Sequence, residues 1–126
     1  MRGPVEYGKE LILDLHQCAC GKLNRKDIEA FMVKLCQLID MQRGELYFWD
    51  YEGESEEYAN APPRLKGSSA VQFITTSNIT IHILDDLRHV YLNIFSCKSF
   101  DENKVIPFVL GWFGGQVVQS ALLKRL

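Results

Sequence analysis

Three β-forming runs stand almost end to end in the middle of the chain: SAVQFIT (69–75), NITIHIL (78–84) and HVYLNIFSC (89–97). Only Thr76 and Ser77 separate the first two, and residues 85–88 separate the second from the third. Parallel neighbours need a crossover of a dozen or more residues, so connections this short force an antiparallel meander. The rest of the fold must be built around that sheet. KELILDLH (9–16) alternates, with Leu11, Leu13 and Leu15 on one side and Ile12, Asp14 and His16 on the other, and reads as a further strand. Asn24 offers an N-cap with Asp27 three residues on, and Ile28, Phe31, Met32, Leu35, Leu38 and Ile39 follow at helical spacing.

ELYFWDY (45–51) is the next strand, and EGESEEYANAPPRLKG (52–67) reads as a long surface loop, the kind that often carries function. Beyond the meander, Ser99 and Glu102 form a capping-box pattern ahead of a second helix, with Val105, Ile106, Val109, Trp112 and Phe113 as its buried stripe. Pro107 either kinks that helix or marks a later start. Gly114 and Gly115 stop it, and QVVQSALLKRL (116–126) closes the chain as a last strand. The order β-α-β-β-β-β-α-β predicts an α+β fold, a two-layer sandwich of one largely antiparallel sheet with two helices on one face. Tyr47, Phe48, Trp49 and Tyr91 supply aromatics for both sides of the sheet. The side without helices is therefore expected to pack on a second copy, as a homodimer.

The 126 residues fit a single domain, 1–126, with 47% hydrophobic and 24% charged residues. Fourteen basic against sixteen acidic residues give a net charge of −2, which argues against a nucleic-acid or anionic-membrane surface. No apolar run approaches the roughly 20 residues that span a bilayer. MRGPVEYGKE lacks the apolar stretch of a signal peptide, so a cytoplasmic location is expected. Cys18 and Cys20 form C-x-C, but Cys36 and Cys97 stand apart and supply no second close pair, so no metal site and four free thiols are expected.

The meander also says which residues meet. With DDLRH (85–89) as a turn, Leu84 lies near Val90, His82 near Leu92, and Ser77 opposite Cys97 or Lys98. With Thr76 and Ser77 as the preceding turn, Thr75 lies near Asn78 and Ser69 falls within a residue or two of His82. Ser69, Ser77, His82 and Cys97 are thus expected to converge at one end or face of the sheet, a hydroxyl, imidazole and thiol set capable of catalysis. Strict alternation opposes Ser77 to His82, which are five residues apart, unless the chain turns or bulges at 76–78. Each residue also has a plain reading: turn serines, a satisfied core histidine and a small buried thiol.

SSAVQFITTSNITIHILDD followed by VYLNIFSCKSF resembles the processing region of the prokaryotic S-adenosylmethionine decarboxylases, and GKELILDLHQC resembles their first strand. The resemblance implies that Ser77 becomes a pyruvoyl group by self-cleavage between Thr76 and Ser77. It further implies that His82 and the upstream Ser69 assist the cut, that Cys97 is the catalytic acid, and that Asp86 holds the substrate ribose. The implied activity is decarboxylation of S-adenosylmethionine for spermidine and polyamine synthesis. Thr76 stands where the family has glutamate, Asn78 where it has histidine, and Leu84 and Asp85 where it has Trp-Pro. These departures leave two alternatives open: a pyruvoyl-dependent ornithine or arginine decarboxylase, and an unprocessed homologue with a ligand-binding or regulatory role.

Overall fold

The computed structural model describes residues 3–126; Met1 and Arg2 lie outside the described residues. Along the chain run β1 (Gly8–His16), α1 (Arg25–Leu38), β2 (Arg43–Trp49), α2 (Ser55–Asn60), β3 (Gly67–Ile74), β4 (Ser77–Leu84), β5 (His89–Ser96), α3 (Glu102–Phe113) and β6 (Gln116–Arg125). The strands form one six-stranded antiparallel sheet in the order β2-β3-β4-β5-β1-β6. The fold is the α+β layer arrangement the sequence predicts.

Alternation makes the core. Leu11, Leu13 and Leu15 of β1, Ile79, Ile81 and Ile83 of β4, and Val90, Leu92 and Ile94 of β5 are all buried on one face. Each such side chain contributes about 2 kcal/mol when taken out of water. That face is covered by Ile28, Phe31, Met32, Leu35 and Cys36 of α1 and by Val105, Val109 and Phe113 of α3. Phe31 joins the helices, its ring 4.9 Å from Phe113 and 5.7 Å from Phe108 and Trp112. Leu38 and Trp112, both expected in the buried stripes, lie at their margins and are partly exposed.

Asn24 caps α1 as the sequence predicts, accepting from the Asp27 N–H while the Asp27 carboxylate accepts from the Asn24 N–H. The start of α3 differs from expectation. Its N-cap is Asp101, whose side chain accepts from the Asn103 N–H at 2.9 Å, so Glu102 is the first helical residue and Ser99 lies outside. An aspartate next to the helix outcompetes a serine two residues further back. Pro107 sits within α3, which runs through it. The 52–67 segment is not an unstructured loop, because α2 lies inside it. Glu56 and Glu57 in the first turn favour that helix, Pro62 and Pro63 follow its end, and the Tyr58 hydroxyl ties it to Asp85 at 2.6 Å.

The register of the meander is close to expectation and sharper. Ser69 pairs with His82. Leu84 pairs with His89 and His82 with Tyr91, one residue from the predicted partners. Two glycines allow close approach: a Cβ at Gly67 would overlap the Ile83 carbonyl oxygen, and one at Gly8 the Ser96 carbonyl oxygen. Neither α1 nor α3 covers the second face of the sheet, which presents Tyr47, Trp49, Phe73, Phe95 and Tyr91, with Glu57 of α2 reaching its edge.

Candidate active site

The hairpin between β3 and β4 is as tight as a hairpin becomes. Ile74 pairs with Ser77, leaving Thr75 and Thr76 as a two-residue turn. Such turns need left-handed backbone, usually supplied by Asn or Gly. Here Thr76 adopts it at φ 50°, an uncommon and strained state for a β-branched residue. The conformation places its hydroxyl 2.8 Å from the Thr75 carbonyl, to which it donates, and 3.0 Å from Cys97 Sγ.

Cys97 reaches the tip because the chain turns sharply at the end of β5. The buried Ser96 hydroxyl donates to the Lys98 carbonyl at 2.6 Å and accepts from the Lys98 N–H at 3.0 Å. Lys98 Nζ is anchored on Asp40 at 2.8 Å. The Cys97 N–H donates to Ser77 Oγ at 2.8 Å, and its thiol lies 3.6 Å from the Thr75 carbonyl. Hydroxyls crowd the sulfur: Ser77 foremost, then Thr76 and Tyr7, hold the thiol below its ordinary value by stabilising the thiolate. The other three cysteines are buried, and burial pushes their thiols up, Cys20 to about 11. Cys97 alone of the four has its thiol lowered rather than raised.

Ser69 and His82 form a second pair. They face one another across β3 and β4, with Ser69 Oγ 2.7 Å from His82 Nδ1. A cleft of about 650 Å³ opens beside them, lined by Trp49, Glu57, Arg64, Leu65 and Leu84 among others. A smaller hollow on the other flank of His82 is lined by Asp14, Tyr91 and Asn93. Asp86 lies in the turn just past this end of β4, 3.4 Å from Lys66 Nζ.

The structure therefore brings Ser77 to Cys97 and Ser69 to His82, but does not join the pairs within one chain. β3 and β4 pair without interruption from Gly67 and Leu84 to Ile74 and Ser77, so the bulge needed to bring them together is absent. Ser77 alternates inward with Ile79, Ile81 and Ile83, while His82 projects from the opposite face. Five residues at about 3.3 Å each put the pairs roughly 16 Å apart along the strand. Tyr7, which sequence reasoning missed, sits beside the first pair, its ring stacked near Phe95 with centroids 6.4 Å apart. Its one signal was its place before Gly8, the residue that lets β1 press against Ser96. Among the described residues no His/Cys/Asp/Glu group could hold a metal ion, and no helix is long and apolar enough to cross a membrane.

The fold and site together define an α+β sandwich whose central meander carries a strained, hydroxyl-rich hairpin tip beside a polarised thiol. The S-adenosylmethionine decarboxylase family model matches residues 9–126, and the chain belongs to that family. Among solved structures, the adenosylmethionine decarboxylase from Aquifex aeolicus superposes with a TM-score of 0.73 at 11% identity, covering 95% of this chain and 91% of that one. At that identity the likeness speaks for the fold. No curated protein sequence matches.

Proposed function

We propose that the chain is a pyruvoyl-dependent S-adenosylmethionine decarboxylase that generates its own prosthetic group by cutting between Thr76 and Ser77. The observation that carries this reading is the hairpin tip, where the residue before the serine is held at φ 50° and the serine hydroxyl contacts the backbone of a polarised cysteine. The position suits the group. Ser77 is the first residue of β4, so a cut before it falls in the turn and leaves the β3–β4 pairs from Gly67 and Leu84 to Phe73 and Asn78 in place.

Ser77 Oγ attacks the Thr76 carbonyl carbon, and the peptide bond becomes an ester as the Ser77 nitrogen is released as an amine. Strain at Thr76 raises the energy of the bond that breaks. Removal of the Ser77 α-proton expels the Thr76 carboxylate, and water then replaces the nitrogen, releasing ammonia. The pyruvoyl group, once formed, supplies a carbonyl electron sink for loss of carbon dioxide from a substrate amine. Cys97 then protonates the substrate carbon. In this reading the product serves polyamine and spermidine synthesis.

His82 remains some 16 Å from Ser77 in its own chain, which supports a homodimer. A two-fold axis crossing the helix-free face near Thr80, at right angles to the strands, exchanges the two ends of β4. With sheets stacked about 10 Å apart, it carries the Ser69–His82 pair of one copy toward the hairpin tip of the other. The exposed Tyr47, Trp49 and Phe73 of that face become interface. His82 and Ser69 then assist the cut in trans, and Asp86 reaches the substrate from the same side.

Carbon dioxide release from S-adenosylmethionine, with ornithine and arginine as comparison substrates, tests the reading. Turnover of S-adenosylmethionine that Ser77→Ala abolishes is expected, in a protein that sediments as a dimer. Turnover by Ser77→Ala would refute the nucleophile, and full turnover by a monomer would refute the shared site.

A further inference from the structure

We propose that Ser96 is a positioning residue for the self-cut: its buried hydroxyl closes a turn that aims the Cys97 main-chain N–H at Ser77 Oγ, the atom that leaves in the elimination. The inference rests on the cutting reaction read above.

Ser96 breaks a pattern. The inward positions of β5 run Val90, Leu92 and Ile94, all buried and apolar, and then Ser96, which is fully buried too. β4 does the same one strand away, where Ile83, Ile81 and Ile79 are followed by Ser77. Asn78 pairs with Phe95, so the next step in register sets the two inward serines side by side at the hairpin end of the core. A hydroxyl buried among apolar side chains is unfavourable unless it is hydrogen-bonded. The two serines meet that need differently. Ser96 Oγ donates to the Lys98 carbonyl at 2.6 Å and accepts from the Lys98 N–H at 3.0 Å, both within its own turn. Ser77 Oγ accepts from the Cys97 N–H at 2.8 Å. Cys97 is the middle residue of the turn that Ser96 closes, and its N–H takes a side-chain oxygen as acceptor where β5 ends.

That oxygen carries the charge of the cut. In the acyl shift, Oγ becomes the ester oxygen between the Thr76 carbonyl carbon and Ser77 Cβ. In the elimination, a base takes the Ser77 α-proton and the electrons of the broken Cα–H bond form a Cα=Cβ double bond. The Cβ–Oγ bond breaks with its electron pair going to Oγ, which ends as one oxygen of the Thr76 carboxylate. Negative charge thus develops on the atom at which the Cys97 N–H already points. A fixed main-chain donor at hydrogen-bond distance from such an oxygen stabilises the transition state more than the ground state and needs no reorientation. After the cut, the same N–H holds the Thr76 carboxylate by a stronger, charge-assisted bond.

Two measurements test this. Denaturing mass spectrometry follows cutting of the freshly synthesised chain, with and without hydroxylamine. Hydroxylamine splits the ester into a Thr76 hydroxamate and a fragment that begins with intact Ser77, whereas elimination gives the pyruvoyl fragment, so the two steps are read separately. Ser96→Ala and Ser96→Val are expected to slow the pyruvoyl fragment about tenfold or more while hydroxylamine-sensitive chain accumulates. Ser96→Thr keeps the hydroxyl in the shape of valine and should cut like wild type. The second measurement is amide hydrogen exchange at Cys97, expected to be about tenfold slower in the cut wild-type protein than in Ser77→Ala, which has no oxygen for the N–H to hold. It requires no substitution at Ser96 and decides the matter if those variants do not fold. Cutting by folded Ser96→Ala at the wild-type rate, slow cutting without ester, or equal exchange at Cys97 would overturn the inference alone. A wild-type chain that yields neither pyruvoyl fragment nor hydroxylamine-sensitive ester would overturn the parent reading as well.

Discussion

Thr76 and Cys97 make the case at the scale of single residues. A threonine forced into left-handed backbone brings its hydroxyl to a thiol that the hydroxyls of Ser77 and Tyr7 also favour as thiolate. The contrast with Cys18, Cys20 and Cys36, all buried and shifted upward, leads to a simple expectation. A disulfide thiol reagent at pH 7.5 should titrate one cysteine per folded chain and all four after denaturation. Loss of the fast thiol in Cys97→Ser identifies it, and a second fast thiol in the folded protein would contradict the burial argument. Ser69 facing His82 and Ser77 meeting Cys97 were both legible in the sequence, because hairpin register follows from turn length. The separation of these pairs was not. It depends on whether a bulge interrupts β4, and the polar run Thr75–Asn78 is equally compatible with a bulge and with the plain two-residue turn that forms.

At the scale of elements, β2 is held to the sheet by a buried amide. Its pairing with β3 shifts between Arg43 and Leu46, which leaves carbonyls of the displaced segment without ladder partners. Gln72, fully buried on β3, donates from Nε2 to the carbonyls of Gly44 at 3.0 Å, Glu45 at 3.2 Å and Phe73 at 2.9 Å, and accepts from Arg43 Nε at 2.9 Å. Gln72→Leu keeps the bulk but leaves those carbonyls unpaired. It should cost on the order of 3 kcal/mol in urea unfolding, with faster hydrogen exchange confined to β2. A loss below about 0.5 kcal/mol would mean that water satisfies the carbonyls instead. Strands and α1 were readable because alternation and helical spacing are repeated over many residues. The true cap of α3 and the short α2 were not, since each rests on a single local competition, Asp101 against Ser99 and Glu-rich start against Pro-rich end.

At the scale of the whole molecule, one face of the sheet is closed by α1 and α3, and the other carries aromatics beside the Ser69–His82 cleft. The family places the chain among the S-adenosylmethionine decarboxylases. The proposed assembly stacks two helix-free faces, so that each hairpin tip meets the second copy's histidine. In that arrangement the fold supplies strain and a thiol from one subunit and a base from the other, and neither subunit completes the chemistry by itself. A sequence shows only one copy of each residue, so the proposed division of the site between copies would read along the chain as a single cluster.

The most direct measurement is the intact mass of the purified protein under denaturing conditions. The account predicts two fragments, residues 1–76 and residues 77–126, the second carrying a pyruvoyl terminus whose mass shifts on hydride reduction. Ser77→Ala should give the full-length chain alone. A wild-type protein that stays a single intact chain after prolonged incubation would contradict the account.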